Sequence, residues 1–218
     1  YTEYKQSYKL LITNPIDATK ASQIPVSKLP KFNNGNEYTY SFWIFITDWE
    51  YLYGTPKCVL YKGSKNANSC NPSVWLYPKD NKMMIRFDTL NNGNANVSST
   101  EMNPNENPNI LRKDEVCDVE NIPLQRWVHV GIVMWNRTTD IYIDGKLVRS
   151  CILPGVPKFN NGDLYITNFG GFRGNISRLF VLNKAFNPDA MYNTYLKGPF
   201  TFNPFAKLFG NVSVGISI

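Results

Sequence analysis

The sequence predicts an all-β sandwich of two antiparallel sheets with one short helix near its C-terminal end. Apolar segments with alternating polarity recur roughly every ten residues, with Gly, Asn and Pro between them, a spacing typical of such sandwiches. Aromatic residues make up 14% of the chain and favour strands. Hydrophobic residues make up 43% of the 218 residues, which is enough for a packed core.

Ten segments carry the strand signal. In the longest of them, residues 38–47 (YTYSFWIFIT), the middle of the segment is apolar on both faces, which predicts an interior strand. The other candidates, in chain order, are residues 8–12, 57–63, 73–78, 82–88, 126–135, 140–143, 146–150, 163–168 and 175–182.

Two local motifs predict particular backbone conformations. Asp144-Gly145 separates the candidate strands 140–143 and 146–150, and Asp-Gly supplies the positive φ angles of a type I′ hairpin turn. Asn187-Pro188-Asp189 offers an N-cap, a proline at the first helical position and an acid in the first turn. We therefore expect a short helix that Gly198-Pro199 ends.

The hexapeptide PKFNNG occurs twice, at residues 30–35 and 157–162. The strands that follow the two copies share only scattered residues, so a duplicated domain is not predicted. We expect each copy to form a proline-directed Asn-Asn-Gly turn in which Gly35 or Gly162 adopts a positive φ.

We expect a single domain over residues 1–218, with its core at about residues 37–199. Residues 91–121 are dense in Asn, Pro and Ser and lack apolar periodicity, which predicts a long loop excursion, either a binding element or a plain surface loop. The Phe-rich C-terminal tail, residues 200–218, either packs back on the sandwich or docks on a partner.

Four cysteines occur at spacings that fit no C-x-x-C metal motif, so a zinc site is not predicted. Three disulfide pairings are possible. We favour Cys58–Cys70 with Cys117–Cys151, and four reduced, buried thiols are the alternative. An even number of cysteines suits an oxidising compartment. Glycosylation sequons, which favour the same compartment, occur at Asn96, Asn136, Asn175 and Asn211.

The net charge of +6 is spread along the chain without a run of Lys and Arg, so nucleic-acid binding is not predicted. No apolar run approaches the roughly 20 residues that span a bilayer. The chain starts at Tyr1 rather than at Met, as expected of a mature or trimmed product.

Several stretches resemble the laminin G-like, concanavalin A-like jelly roll. They are W-x-H-V at residues 127–130, I-D-G-K at residues 143–146 and G-x-I-S-x-L-x-V-x-N-K-A-F at residues 174–186. The similarity covers about residues 37–199, and CDVENIPLQRW, SCILPG and LKGP most resemble versions encoded by large DNA viruses. The resemblance implies a two-sheet jelly roll with rim loops that often bind glycans or proteins and in some members hold calcium.

Catalysis is not predicted. Glucan-hydrolysing relatives of this fold carry E-x-D-x-x-E on one strand, and none of the glutamates here has that spacing. The single histidine, His129, shares a strand face with Trp127, Val133 and Trp135, which indicates a packed structural residue rather than a general base. We therefore expect no enzymatic activity and no cofactor.

Sugar binding needs an aromatic face for the sugar ring and polar groups for its hydroxyls. TDWEYLYG at residues 47–54 and NFGGFRG at residues 168–174 supply both. No calcium-loop spacing of aspartates is present, so no metal is expected. Plain packing is the alternative for each aromatic residue. The candidate carbohydrate-binding residues are Asp48, Trp49, Tyr51, Trp75, Asn168, Phe172 and Arg173.

The leading hypothesis is a non-catalytic recognition or adhesion module that binds glycan or glycoprotein through rim loops, at an extracellular location or a virion surface. The alternative is a structural virion protein, a minor capsid or surface component, whose tail and long loop bind capsid or other virion proteins. A glycoside hydrolase is the distant third.

Overall fold

The computed structural model describes residues 8–32, 37–67, 70–90 and 117–201. These residues form 15 strands, one 3₁₀ turn at Val26–Lys28 and one α-helix, α1 (Pro188–Tyr195). The strands are β1 (Tyr8–Leu10), β2 (Ile16–Asp17), β3 (Ser22–Ile24), β4 (Glu37–Asp48), β5 (Lys57–Gly63), β6 (Cys70–Leu76), β7 (Lys82–Arg86), β8 (Thr89–Leu90), β9 (Val119–Glu120), β10 (Trp127–Trp135), β11 (Thr138–Ile143), β12 (Lys146–Ile152), β13 (Val156–Pro157), β14 (Asp163–Ile166) and β15 (Arg173–Leu182).

The strands form two large antiparallel sheets, which confirms the predicted all-β sandwich. Sheet A has the order β1-β15-β4-β10-β11-β12, with β2 also pairing with β15. Sheet B has the order β3-β14-β5-β6-β7-β9, and β13 and β8 form a separate ribbon. The main hydrophobic core draws buried side chains from both sheets. Neighbouring strands such as β4 and β15 lie far apart in sequence, so their pairing brings remote segments of the chain together.

Strand β4 is the interior strand that its two apolar faces predict. Tyr40, Phe42 and Ile44 are fully buried in the core between the sheets. Trp43 points to the opposite face of the sheet and is only 6% exposed. Burying each large apolar side chain contributes roughly 2 kcal/mol, so this strand anchors both faces of sheet A.

Helix α1 covers the outer face of sheet A. The Asn187 side chain accepts a hydrogen bond from the Ala190 N–H at 2.8 Å, which is the predicted N-cap. Met191 is fully buried against Val133 and Tyr142. A Cβ on Gly131 would lie 2.5 Å from the Met191 sulfur, so the glycine leaves room for the helix.

The β11–β12 hairpin turn has the predicted geometry. Asp144 and Gly145 have φ angles of 49° and 73°, as a type I′ turn requires. The Asp144 carboxylate also accepts hydrogen bonds from the His129 backbone N–H at 2.9 Å and from Arg126 at 2.6 Å. The turn is thereby fixed to the start of β10.

On the N-terminal side, the sheets extend beyond the predicted core of about residues 37–199. Strands β1 and β2 pair with β15, and β3 pairs with β14, so both sheets recruit residues that precede position 37. Strand β9 lies in the stretch predicted as a long loop. Strands of two or three residues carry no readable periodicity. Residues 91–116 and 202–218 lie outside the described residues.

One of the two favoured disulfides is formed. Cys117 and Cys151 are bonded, with their Cα atoms 5.8 Å apart. The predicted Cys58–Cys70 bond is wrong, because both residues are buried thiols in the structure. In the β5–β6 ladder Cys58 lies opposite Trp75 and Cys70 lies opposite Gly63. The two cysteines are therefore several ladder positions apart, and disulfides need close Cα atoms.

The two PKFNNG copies meet in the fold. Lys62, only 3% exposed, lies with its Nζ 5.6 Å from the Phe32 ring and 5.7 Å from the Phe159 ring. Its ammonium also donates to the Asn160 side-chain oxygen at 2.9 Å. The positive φ predicted for Gly162 is wrong: its lack of a side chain is needed because a Cβ would lie 2.1 Å from a backbone oxygen of β5.

The sequons fall in different environments. Asn136 is exposed in the turn between β10 and β11, where it has a φ of 57°, so it stays a predicted glycosylation site. Asn175 lies inside β15, and its side-chain amide donates to the Ile16 carbonyl at 3.3 Å. That placement argues against glycan attachment, which favours open surface loops. Asn96 and Asn211 lie outside the described residues.

A buried ion pair closes the edge of sheet B. Arg86, only 3% exposed, donates to the Asp118 carboxylate, and the Tyr77 hydroxyl donates to the same group. Burial raises the pKa of Tyr77 to about 12, and its bond to Asp118 adds to the shift. The Arg149 side chain donates to the Asp118 carbonyl at 2.9 Å. Asp118 therefore ties three side chains together.

We predict that Cys151→Ser lowers the free energy of unfolding by about 4 kcal/mol, because it opens a loop whose ends are 34 residues apart in sequence. Urea unfolding under non-reducing conditions measures the change. Dithiothreitol should lower the free energy of unfolding of the parent protein to that of the variant and leave the variant's value unchanged. Equal stability of the two oxidised proteins would contradict the bond.

We predict that Asp118→Asn lowers the free energy of unfolding by about 3 kcal/mol, because it leaves the buried Arg86 charge uncompensated. The matched control is Glu120→Gln, which removes the exposed partner of Lys82 at 2.9 Å and should cost less than about 1 kcal/mol. Urea unfolding at neutral pH distinguishes the two. Similar losses in both variants would refute the buried-pair argument.

Candidate functional site

Two of the predicted binding segments meet at one end of sheet A. Residues 48–54 begin at the last residue of strand β4, and residues 168–173 end at the first residue of strand β15, the neighbour of β4 in the sheet. Asp48 and Arg173 are directly paired in the ladder. The Tyr51 hydroxyl donates to the Gly170 carbonyl at 3.1 Å. We call residues 48–54 and 168–173 together the rim site.

The backbone of the rim site holds unusual conformations. Leu52 and Phe169 have φ angles of 53° and 56°, and Thr167, just before the second segment, has 51°. Residues other than glycine rarely adopt this left-handed region, and they do so at a cost that surrounding structure must offset. Such strain tends to cluster where a loop has a binding role, which supports a functional reading of the rim.

The rim site offers an exposed ring and exposed charged groups. Tyr53 is 61% exposed, and Arg173 and Glu50 are also exposed. One Asp48 oxygen accepts from the Glu50 backbone N–H at 2.7 Å, which fixes the carboxylate at the loop base. A tyrosine face can cover the apolar side of a sugar ring, while carboxylate and guanidinium groups bond its hydroxyls.

Trp49 supports the loop from below. It packs against the main core, and the Lys57 ammonium lies 5.4 Å from its ring centroid. Lys57 also donates to the Pro78 carbonyl at 3.2 Å. Burial lowers the pKa of Lys57, and the Asp48 charge opposes the shift. Trp49 therefore holds the rim in place with one face covered by a cation.

Trp75 and Asn168 belong to a different cluster, on the outer face of sheet B. Trp75 is fully buried and stacks at 6.2 Å on Tyr61 and at 5.8 Å on Phe169. The Asn168 amide donates to the Tyr61 hydroxyl at 3.0 Å. Its ring is thereby covered by protein rings, which is the packing alternative expected for each aromatic candidate.

Phe172 is also removed from direct binding. Its side chain is fully buried in the core between the sheets. Gly171 brings the turn against the Ala18 carbonyl, where a Cβ would lie 1.9 Å from the oxygen. The structure therefore unites Asp48, Tyr51 and Arg173, while Phe172 anchors the turn from inside.

Sequence reasoning missed three residues of the rim. Leu52 is 38% exposed beside Gly170, and Phe169 joins the rim to the sheet B cluster. The adjacent Tyr53 is the most exposed ring of the segment 47–54, and its spacing of two from Tyr51 is the signal that could have found it. No sequence signal indicates the left-handed backbone at these positions.

His129 lies apart from the rim, on the outer face of sheet A. Its Nε2 lies 2.8 Å from the Ser41 hydroxyl, a contact that also occurs in serine nucleophile–base pairs. Asp144, however, accepts from the His129 backbone N–H rather than from the ring. Burial lowers the pKa of His129 to about 4. This neutral, enclosed ring fits the predicted packing role.

No group of three or more His, Cys, Asp or Glu among the described residues could hold a metal ion. In the described ranges, no helix is long and apolar enough to cross a membrane.

A family model described as the concanavalin A-like lectin/glucanases superfamily matches residues 17–190. The chain belongs to this superfamily. The match starts before position 37, in agreement with the early strands of the fold. No curated protein matches the sequence.

Solved structures with a similar fold include Trypanosoma rangeli sialidase. Its complex with sialic acid gives a TM-score of 0.56 at 13% identity and covers 87% of this chain and 29% of that one. Its complex with 2,3-difluoro-KDN gives 0.53 at 14% identity, with 83% and 26% covered. This protein therefore spans only about a quarter of the length of the sialidase chain. At identities this low, the similarity shows the fold alone.

We predict that the His129 imidazole titrates far below its unfolded value of about 6.5. The folded pKa is lowered, so the neutral form stabilises the protein above pH 6.5, and that stability is lost as the pH falls towards 4. Between pH 6.5 and pH 5 the loss should be about 2 kcal/mol. NMR titration of this single histidine measures the pKa directly, and a midpoint near 6.5 would refute the prediction.

The matched control for stability is His129→Gln, which removes the titrating ring. Its free energy of unfolding should lose this pH dependence between pH 6.5 and pH 5, even if its overall stability is lower. An unchanged slope in the variant would assign the dependence to other groups.

Proposed function

We propose that this superfamily member is a non-catalytic recognition module that binds glycan or glycoprotein through the rim site. The observation that carries the proposal is the convergence of the two predicted segments, which pairs Asp48 with Arg173 in the ladder and adds the exposed Tyr53 ring from the same loop as Asp48. An exposed aromatic face together with charged groups of both signs suits a neutral polyhydroxyl ligand.

One feature of the rim site supports binding rather than hydrolysis. A retaining glycosidase needs two carboxyl groups about 5 Å apart across the scissile bond, and an inverting one needs a wider pair. At the rim, Asp48 is bound to the backbone of its own loop. The sialidase structures include one named as a complex with sialic acid, but that name describes the sialidase and its whole chain.

We propose an extracellular or virion-surface location. The Cys117–Cys151 disulfide and the exposed sequon at Asn136 are compatible with an oxidising compartment. The long loop and the tail on which a structural virion role would rest lie largely outside the described residues.

We predict that Tyr53→Ala and Arg173→Ala each weaken glycan binding by about tenfold or more, since each removes a stacking face or a charge-assisted hydrogen bond. The measurement is a glycan array followed by titration of the best-binding glycan. Unfolding curves of the variants should match the parent, because both side chains are exposed.

The matched control is Trp135→Ala, which removes another exposed ring, 58% accessible at the far end of β10, and should leave glycan binding unchanged. If the parent protein binds neither the glycans of the array nor host-surface glycoproteins, the proposal is wrong. If all three variants lose glycan affinity equally, the binding site is not the rim site.

A further inference from the structure

A cavity lies on the outer face of sheet A, away from the rim site. It has a volume of about 520 Å³ and is enclosed by strands β1, β4 and β15 and by helix α1. Small-molecule sites are typically clefts of about 300–1,000 Å³. We call it the helix pocket.

The charge of the helix pocket is one-sided. Arg178 and Lys197 line it, and none of the described residues that line it is acidic. Arg178 is half-buried, and Lys197 is exposed. Two cations facing one cavity without a carboxylate create a local site for an anion.

Arg178 is aimed by an irregularity in its strand. The β15–β4 register shifts between Ser177 and Phe180, and Arg178 has a φ of 45°. A bulge re-aims a side chain and often marks a binding site, and a left-handed arginine costs free energy that other contacts must offset. Its Nη1 donates to the Phe200 carbonyl at 2.7 Å, which fixes the guanidinium plane.

The remaining walls mix apolar rings with hydrogen-bonding groups. Phe180 and Phe186 form an apolar side with ring centroids 5.8 Å apart. Asn193 presents an amide from α1, and the Thr194 hydroxyl, which donates to the Ala190 carbonyl at 2.8 Å, is left as an acceptor. Rings with polar groups between them suit a sugar, whose ring is apolar on one face and hydroxylated at its rim.

A flat heteroaromatic ligand fits the pocket less well. Trp43, the large ring at its floor, is already stacked on Tyr195 at 5.7 Å with an interplanar angle of 20°. That face of the Trp43 ring is therefore covered and not open to a base. The lining therefore selects a small, puckered, hydroxylated ring with a negative charge.

We propose that the helix pocket binds an acidic monosaccharide, a pyranose that carries a carboxylate. The carboxylate lies at Arg178 and Lys197, and the ring hydroxyls lie at Asn193 and Thr194. This site is separate from the rim site and rests on its own lining, so either can fail without the other.

The test is a ¹H–¹⁵N NMR titration of the full chain with sodium glucuronate, with glucose and sodium acetate as comparison ligands. Glucuronate should shift Asn193 and Thr194 in a saturable way at millimolar concentrations. Glucose and acetate should each bind at least about tenfold more weakly, because each lacks one of the two recognised features. Equal binding of glucose or acetate would overturn the proposal, as would shifts centred on Tyr53 and Gly170.

Two variants locate the site independently. Lys197→Gln should weaken glucuronate binding by about tenfold, and Ala190→Leu should abolish it by filling the cavity while keeping a good helix former. Lys184→Gln removes an exposed lysine outside the pocket and should leave binding unchanged. If Lys184→Gln weakens binding as much as Lys197→Gln, the attraction is general surface charge and the proposal is wrong.

Discussion

The double burial of strand β4 is the constraint on which the rest of the structure depends. β4 is hydrogen-bonded on both edges, to β10 and to β15, and its side chains are buried on both faces. One face builds the core between the sheets, while the other receives helix α1 through Trp43 and its stack on Tyr195. Because β15 comes from the far end of the chain, the pairing closes the sandwich.

The same strand positions residues of three polar features of the molecule. Its C-terminal end presents Asp48 to Arg173 at the rim site. Its middle supplies Ser41 and Trp43 to the helix pocket. Near its start, Tyr38 donates to Asn71 at 2.9 Å, close to Lys62. Features so far apart on the surface therefore share one rigid scaffold, as expected where loops carry function and strands hold them.

Buried cations are a recurring feature of sheet B, and each is compensated differently. Lys57 uses a carbonyl and the Trp49 ring, and Lys62 uses Asn160 and two phenylalanine rings. Arg86 uses a carboxylate. The carboxylate cancels the charge outright, whereas carbonyls and rings only partly replace water. Accordingly, burial lowers the pKa of Lys62 to about 8, while the pairing with Asp118 keeps the pKa of Arg86 raised.

The sequence by itself determined the elements whose cause is local. Alternation predicted β4 and β10, Asp144-Gly145 predicted the hairpin, and Asn187-Pro188 predicted the start of α1, since neighbouring residues alone decide these conformations. Only the tertiary structure decided which predicted site residues stay accessible. Trp75 and Phe172 are buried by packing and are not accessible to a ligand. The helix pocket is formed by strands that are distant in sequence. Burial, strand register and the left-handed backbone of the rim loops depend on contacts between remote segments, which no local pattern encodes.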